Sequence, residues 1–88
     1  MSKKVLVSVF DKVSGLYSPA MTEINPASAI RNFRIGAKQN SQISATPDDY
    51  CLVLLGTVDD ETGEIAPVGK VDGFLPVLIQ ALDLFPVE

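Results

Sequence analysis

The run Tyr50-Cys51-Leu52-Val53-Leu54-Leu55 limits this chain more than any other stretch. Successive side chains of a strand point to opposite faces, so Tyr50, Leu52 and Leu54 fall on one side and Cys51, Val53 and Leu55 on the other. Both sets are apolar. Such a strand needs cover on both faces, which places it in the middle of a sheet rather than at a rim. Asp59-Asp60-Glu61-Thr62-Gly63 then supplies a turn, with Gly63 available for a positive φ, and Glu64-Ile65 begins a return strand. The result is a central hairpin.

The chain before it reads in order. Lys4 to Phe10 alternates Val5, Val7 and Val9 against Leu6, Ser8 and Phe10, the pattern of a first strand with one fully buried side. Asp11 to Gly15 forms a turn. Leu16 to Ile24 is a second strand, which Pro19 confines to an edge or a bulge because proline cannot donate to the ladder. Asn25-Pro26 marks a helix start, with asparagine at the N-cap and proline at the first helical position. The helix runs to about Gln39, with Ala29, Ile30, Phe33 and Ala37 as the stripe that packs on the sheet. Arg31, Arg34 and Lys38, spaced i, i+3 and i+7, line its far side with Ile35 nearby. Asn40 to Thr46 is a polar connector holding one apolar residue, Ile43.

Beyond Ile65, Ala66 to Lys70 is loop or broken strand. From Asp72 onward Phe74, Leu78, Ala81, Leu82 and Phe85 follow helical spacing, with Pro76 tolerable in a first turn, and the spacing predicts a C-terminal helix. Leu75, Val77, Ile79 and Leu84 are apolar as well. Either part of this segment is a strand, or one face is buried against another copy or another protein. Phe74, Leu75, Leu78, Ile79, Leu82 and Phe85 are the residues expected at such a partner interface. The expected fold is α+β, a small antiparallel sheet of about four strands with one helix packed on a face and a C-terminal helix.

With 88 residues the chain is expected to form a single domain, 1–88, which as a monomer buries only roughly 60 to 65% of the surface its unfolded form exposes. An apolar content of 47% against 20% charged residues argues for a packed core or a sizeable interface and against disorder. One cysteine and no histidine exclude a disulfide framework, zinc sites of ordinary composition and any mechanism that needs an imidazole. Cys51, inside the most apolar strand, reads as a small buried hydrophobe. The acids Asp59, Asp60, Glu61 and Glu64 lack the spacing of a calcium loop, and a hairpin tip offers no pocket for paired carboxylates. No catalytic residue, metal or cofactor is expected. No segment approaches the ~18 apolar residues of a membrane-spanning helix, and Val5 to Phe10 is too short for a signal-peptide core, so the protein is expected in the cytoplasm where it is made.

The net charge of −4 is unevenly spread. Residues 1–44 carry six basic side chains against two acidic ones, or +4, and residues 45–88 carry one basic against nine acidic, or −8. The two halves can attract each other within one fold or across a homo-oligomer. Alternatively the basic half, through Lys3, Lys4, Arg31, Arg34 and Lys38, can hold a phosphate backbone, with Phe10, Tyr17 and Tyr50 as stacking surfaces for single-stranded bases.

Ala29-Ile30-Arg31-Asn32-Phe33, a serine in Asn40 to Ser44, Pro47-Asp48-Asp49-Tyr50 with Leu52, Leu55-Gly56-Thr57-Val58-Asp59-Asp60 and Thr62-Gly63 recur in order and spacing. Together they resemble the small non-structural protein family of gokushoviruses, tailless single-stranded-DNA phages of the microvirus group. Val5 to Asp11 and Tyr17 are similar to that family's opening, and the resemblance covers about residues 4–65. It implies a protein made in the infected bacterium, absent from the virion and acting where replication turns to single-stranded genome synthesis and packaging. It brings no catalytic residues. Two functions are therefore expected from different classes. One is an accessory that binds single-stranded DNA or the phage replication or packaging proteins in the host cytoplasm. The other is a homo-oligomeric adaptor, a dimer in its simplest form, that engages a phage or host protein through Phe74 to Phe85.

Overall fold

The computed structural model describes residues 3–85. Two long strands, β1 (Lys3–Asp11) and β4 (Tyr50–Asp59), run antiparallel along their whole length, from Lys3 opposite Asp59 to Asp11 opposite Tyr50. Leu6 faces Gly56 and Val7 faces Leu54, so Leu55 is the extra residue of a β-bulge. The short strands β2 (Leu16–Tyr17) and β3 (Met21–Glu23) share the outer side of β1. On the outer side of β4 lie β5 (Ile65–Pro67), opposite Gly56 to Val58, and β6 (Val77–Gln80), opposite Cys51 to Val53. Six strands thus fill four rows of an antiparallel sheet, and β4 is interior, as its two apolar faces require.

The break between β2 and β3 falls at Pro19 and has a local chemistry. Proline offers no N–H, and the side chain of Ser18 takes over the ladder: its Oγ accepts from the Val9 amide at 2.9 Å. The carbonyl of Ser18 accepts the Ser8 hydroxyl at 2.7 Å. Ser8, fully buried, is satisfied in this way, as a buried hydroxyl must be.

Helix α1 (Pro26–Gln39) starts where Asn25-Pro26 indicates, with the Asn25 side chain accepting from the Ser28 amide at 2.8 Å. Ala29, Phe33 and Ala37 are buried and Ile30 is partly buried against the same core. The polar connector is itself helical: α2 spans Ser41–Ala45. Asn40 ends α1 and caps α2, its Oδ1 accepting from the amides of Gln42 and Ile43 at 3.0 and 3.1 Å. Ser44 Oγ donates back to the Ala37 carbonyl at 3.0 Å. Ile43 is thereby held in the core with Val7, Leu52, Phe33, Ala81 and Leu84.

The C-terminal helix expected from Asp72 to Phe85 does not form. Asp72-Gly73 makes a tight two-residue turn with both residues at positive φ (53° and 82°), and Val71 and Phe74 exchange backbone hydrogen bonds at 2.8 and 3.0 Å. This is the type I′ hairpin that an Asp-Gly pair favours, and it stops a helix from starting there. The β-branched Val77 and Ile79 then join β4 as β6, on the side away from β1, where Cys51 to Val53 would otherwise lack a neighbour. Only Ala81–Leu84 is helical, as a single 3₁₀ turn that buries Ala81 and Leu84. The fold class is α+β with an antiparallel sheet and one main helix, and the segment after Asp72 contributes one short strand followed by one 3₁₀ turn.

Candidate nucleic-acid interface

Helix α1 uses its Ala29, Phe33, Ala37 side against the sheet, so residues about half a turn away must face water. Arg31, Arg34 and Lys38 occupy that side and are all exposed. Their Cα positions span about 10 Å along the helix axis, from seven residues at 1.5 Å each. Among the described residues the one ion pair is Lys4 with Asp60 at 3.8 Å, so no carboxylate lies within 4 Å of the three helical cations. Ile35, beside them, is 55% exposed.

Lys3 and Lys4 are not part of this row. They open β1 beside the tip of the β4–β5 hairpin, where Lys3 is the cross-strand neighbour of Asp59 and Lys4 pairs with Asp60. Strand alternation puts Lys4 with Leu6, Ser8 and Phe10 on the face of the sheet turned away from α1. At this end of the molecule the basic and acidic halves meet within one chain. Asp59 has a structural task in addition: its Oδ1 accepts from the amides of Glu61 and Thr62 at 2.9 and 3.3 Å and shapes the turn.

The aromatic residues also lie apart from the helical row. Phe10 and Tyr17, cross-strand neighbours, stack on each other with ring centroids 4.6 Å apart and planes tilted by 34°. Phe10 is on the face away from α1, whereas Tyr50 packs against the core on the helix side. A nucleic acid lying along α1 therefore does not reach Phe10 on the opposite face.

That opposite face carries a groove of about 350 Å³ between the Phe10–Tyr17 pair, the floor residues Cys51 and Val53, and the Gly73 to Leu75 turn. Lys12, which the sequence reading passed over, stands at its side and donates to Gln80 Oε1 at 2.6 Å and to the Asp48 carbonyl at 3.2 Å. Nothing local in the sequence marks Lys12, because both partners are far along the chain. Burial pushes the Cys51 thiol above its ordinary value, and the Lys12 ammonium, which pulls the other way, is outweighed. Cys51 is 2% exposed and behaves as a core side chain.

The expected partner interface divides. Phe74 is 76% exposed, Leu82 is 49% exposed, and Leu75 lines the groove. Leu78, Ile79 and Phe85 pack against the chain's own core instead. They are expected at a partner surface because a chain this small has little interior for so many apolar residues in one segment. Leu78 and Ile79 lie in β6, which is paired to β4, and Phe85 directly follows the 3₁₀ turn.

The family model described as Phage ORF5 protein matches residues 4–82. No curated protein and no solved structure matches the chain.

Proposed function

The chain belongs to the Phage ORF5 protein family, and from that premise we propose that it is a non-structural accessory of a single-stranded-DNA phage of the gokushovirus kind, acting in genome replication or packaging. In this reading it works in the host cytoplasm and contacts single-stranded DNA, or the replication complex assembled on it, through the outward side of α1. The observation that supports it is the row Arg31, Arg34 and Lys38, exposed and free of any carboxylate within 4 Å among the described residues. On an acidic protein such a row is where phosphates are neutralised and counterions released. Lys3 and Lys4 have a smaller part, since Lys4 is already paired.

Titration of a single-stranded oligonucleotide at several salt concentrations tests this. Binding is expected at low salt, and Arg31→Ala with Arg34→Ala is expected to flatten the plot of log affinity against log salt by about 1.4, at about 0.7 per lost phosphate contact. Absence of binding, or a slope that the double substitution leaves unchanged, contradicts the proposal. A second reading, a homo-oligomeric adaptor, is favoured by the exposure of Phe74 and Leu82, large apolar side chains left in water by the single chain.

A further inference from the structure

We infer that the groove between the Phe10–Tyr17 pair and the Val71–Phe74 turn is the dimer interface of this protein, filled by the same turn of a second copy. The inference rests on the homo-oligomeric reading above and gives it a place and a partner. It leaves the α1 row to the DNA reading.

The turn is a projecting element with a fixed shape. Two backbone hydrogen bonds close it and both of its central residues sit in the left-handed region, which Gly73 and an aspartate accept readily. It holds Val71 at 71% and Phe74 at 76% exposure. Aromatic side chains presented on a rigid support are the usual anchors of interfaces, because little conformational freedom is lost when they dock. Beside this projection lies a recess of about 350 Å³ with an apolar floor of Cys51 and Val53 and a wall in Val77, which is itself 47% exposed. Projection and recess share one patch of surface, with Phe74 forming part of the recess wall. A patch that carries both halves of a contact is self-complementary, and a two-fold axis through it satisfies both copies at once and closes the assembly at two.

Charge selects the occupant. The tip of the turn carries Asp72, and the recess carries Lys12, whose ammonium donates, among the described residues, to the neutral Gln80 side chain and a backbone carbonyl. An incoming turn therefore brings an acid to a cation that has no acid of its own within 4 Å among the described residues. A nucleic-acid strand in the same recess meets one cation and an aspartate at the rim, so its phosphates are less well matched. The recess lies on the opposite face of the sheet from α1, so a dimer built here leaves both helical rows outward. Two rows on one particle raise the avidity for a long strand without any new contact.

Sedimentation equilibrium over a wide concentration range tests this on the full chain. The wild-type protein is expected to dimerise. Phe74→Ser, at an exposed position that the fold does not need, is expected to weaken the dimer by at least about tenfold. Asp72→Asn, which keeps a residue suited to the turn, is expected to weaken it several-fold and to remove its salt dependence, while Ile35→Ser on the opposite side leaves it unchanged. A dimer that survives Phe74→Ser overturns the placement of the interface and spares the homo-oligomeric reading. A wild-type protein that stays monomeric throughout overturns both. Loss of oligonucleotide affinity in Phe74→Ser with no change in mass also overturns the inference and assigns the recess to nucleic acid.

Discussion

Alanine at Gly56 is expected to destabilise the protein by about 3 kcal/mol, because one added methyl group cannot be accommodated without moving a strand. Gly56 is buried in β4, opposite Pro67. A Cβ at this position would overlap the Ala66 carbonyl oxygen and lie 3.0 Å from Pro67 Cα. Both contacts are backbone, so no side-chain rotation relieves them and β5 has to shift away. The effect arises from close approach of two strands rather than from an unusual φ, which is why even the smallest side chain is expected to do harm. Urea unfolding of the variant should show a midpoint well below that of the wild-type protein, together with lost amide protection around β5. A midpoint within experimental error of the wild type contradicts the close strand approach described here.

Leu52→Ala is expected to cost about 3 to 4 kcal/mol, the range for deleting a fully enclosed leucine side chain. Leu52 is 1% exposed and lies in register between Val9 on β1 and Ile79 on β6. It shares the core with Phe33 and Ala29 of α1 and with Leu84 of the final turn. A domain this small has a total stability of only about 5 kcal/mol, so the variant should be largely unfolded at physiological temperature. The comparison that isolates burial as the cause is Ile35→Ala, on the outward side of α1, which should change stability by no more than about 0.5 kcal/mol. Circular dichroism melts of the two variants check the contrast. A Leu52→Ala protein melting beside the wild type would remove Leu52 from the centre of the core.

Those two positions also show how far the sequence carries. Features governed by near neighbours were legible: the alternation in Tyr50 to Leu54, the Asn25-Pro26 helix start, the edge placement that Pro19 imposes and the turn closing at Gly63. Each depends on chemistry within a few residues, and the Ala29, Phe33, Ala37 stripe follows from helical period alone. The C-terminal segment was misread because its apolar residues satisfy helical and extended spacing about equally well. The vacant edge of β4, a property of the assembled sheet, decided for the strand. Asp72-Gly73 carried a local sign of the turn that the helical spacing of Phe74, Leu78 and Leu82 obscured. The helical nature of Ser41 to Ala45 depended on one asparagine, Asn40, serving two helices.

The candidate surfaces divide in the same way. The grouping of Arg31, Arg34 and Lys38 followed from the helix itself. The separation of Lys3 and Lys4 from that row did not, since it depends on where the Asp59–Gly63 turn meets β1. Lys12 and the recess it flanks were not legible, being made by residues from both ends of the chain. The scaffold sets these surfaces apart on two sides of one sheet, α1 on one and the Val71–Phe74 turn on the other. That arrangement is what allows the proposed DNA contact and the inferred dimer contact to coexist.

All of this depends on β4 being bordered on both sides, with Cys51 to Val53 between β1 and β6 and Gly56 to Val58 between β1 and β5. Native-state amide hydrogen exchange measures that most directly. The account predicts that the hydrogen-bonded amides of Cys51 to Leu54 are the slowest in the chain and exchange only by global unfolding, while those of Met21 to Glu23 at the outer edge exchange by local opening. Exchange in β4 as fast as in β3, with α1 the most protected element, would contradict it.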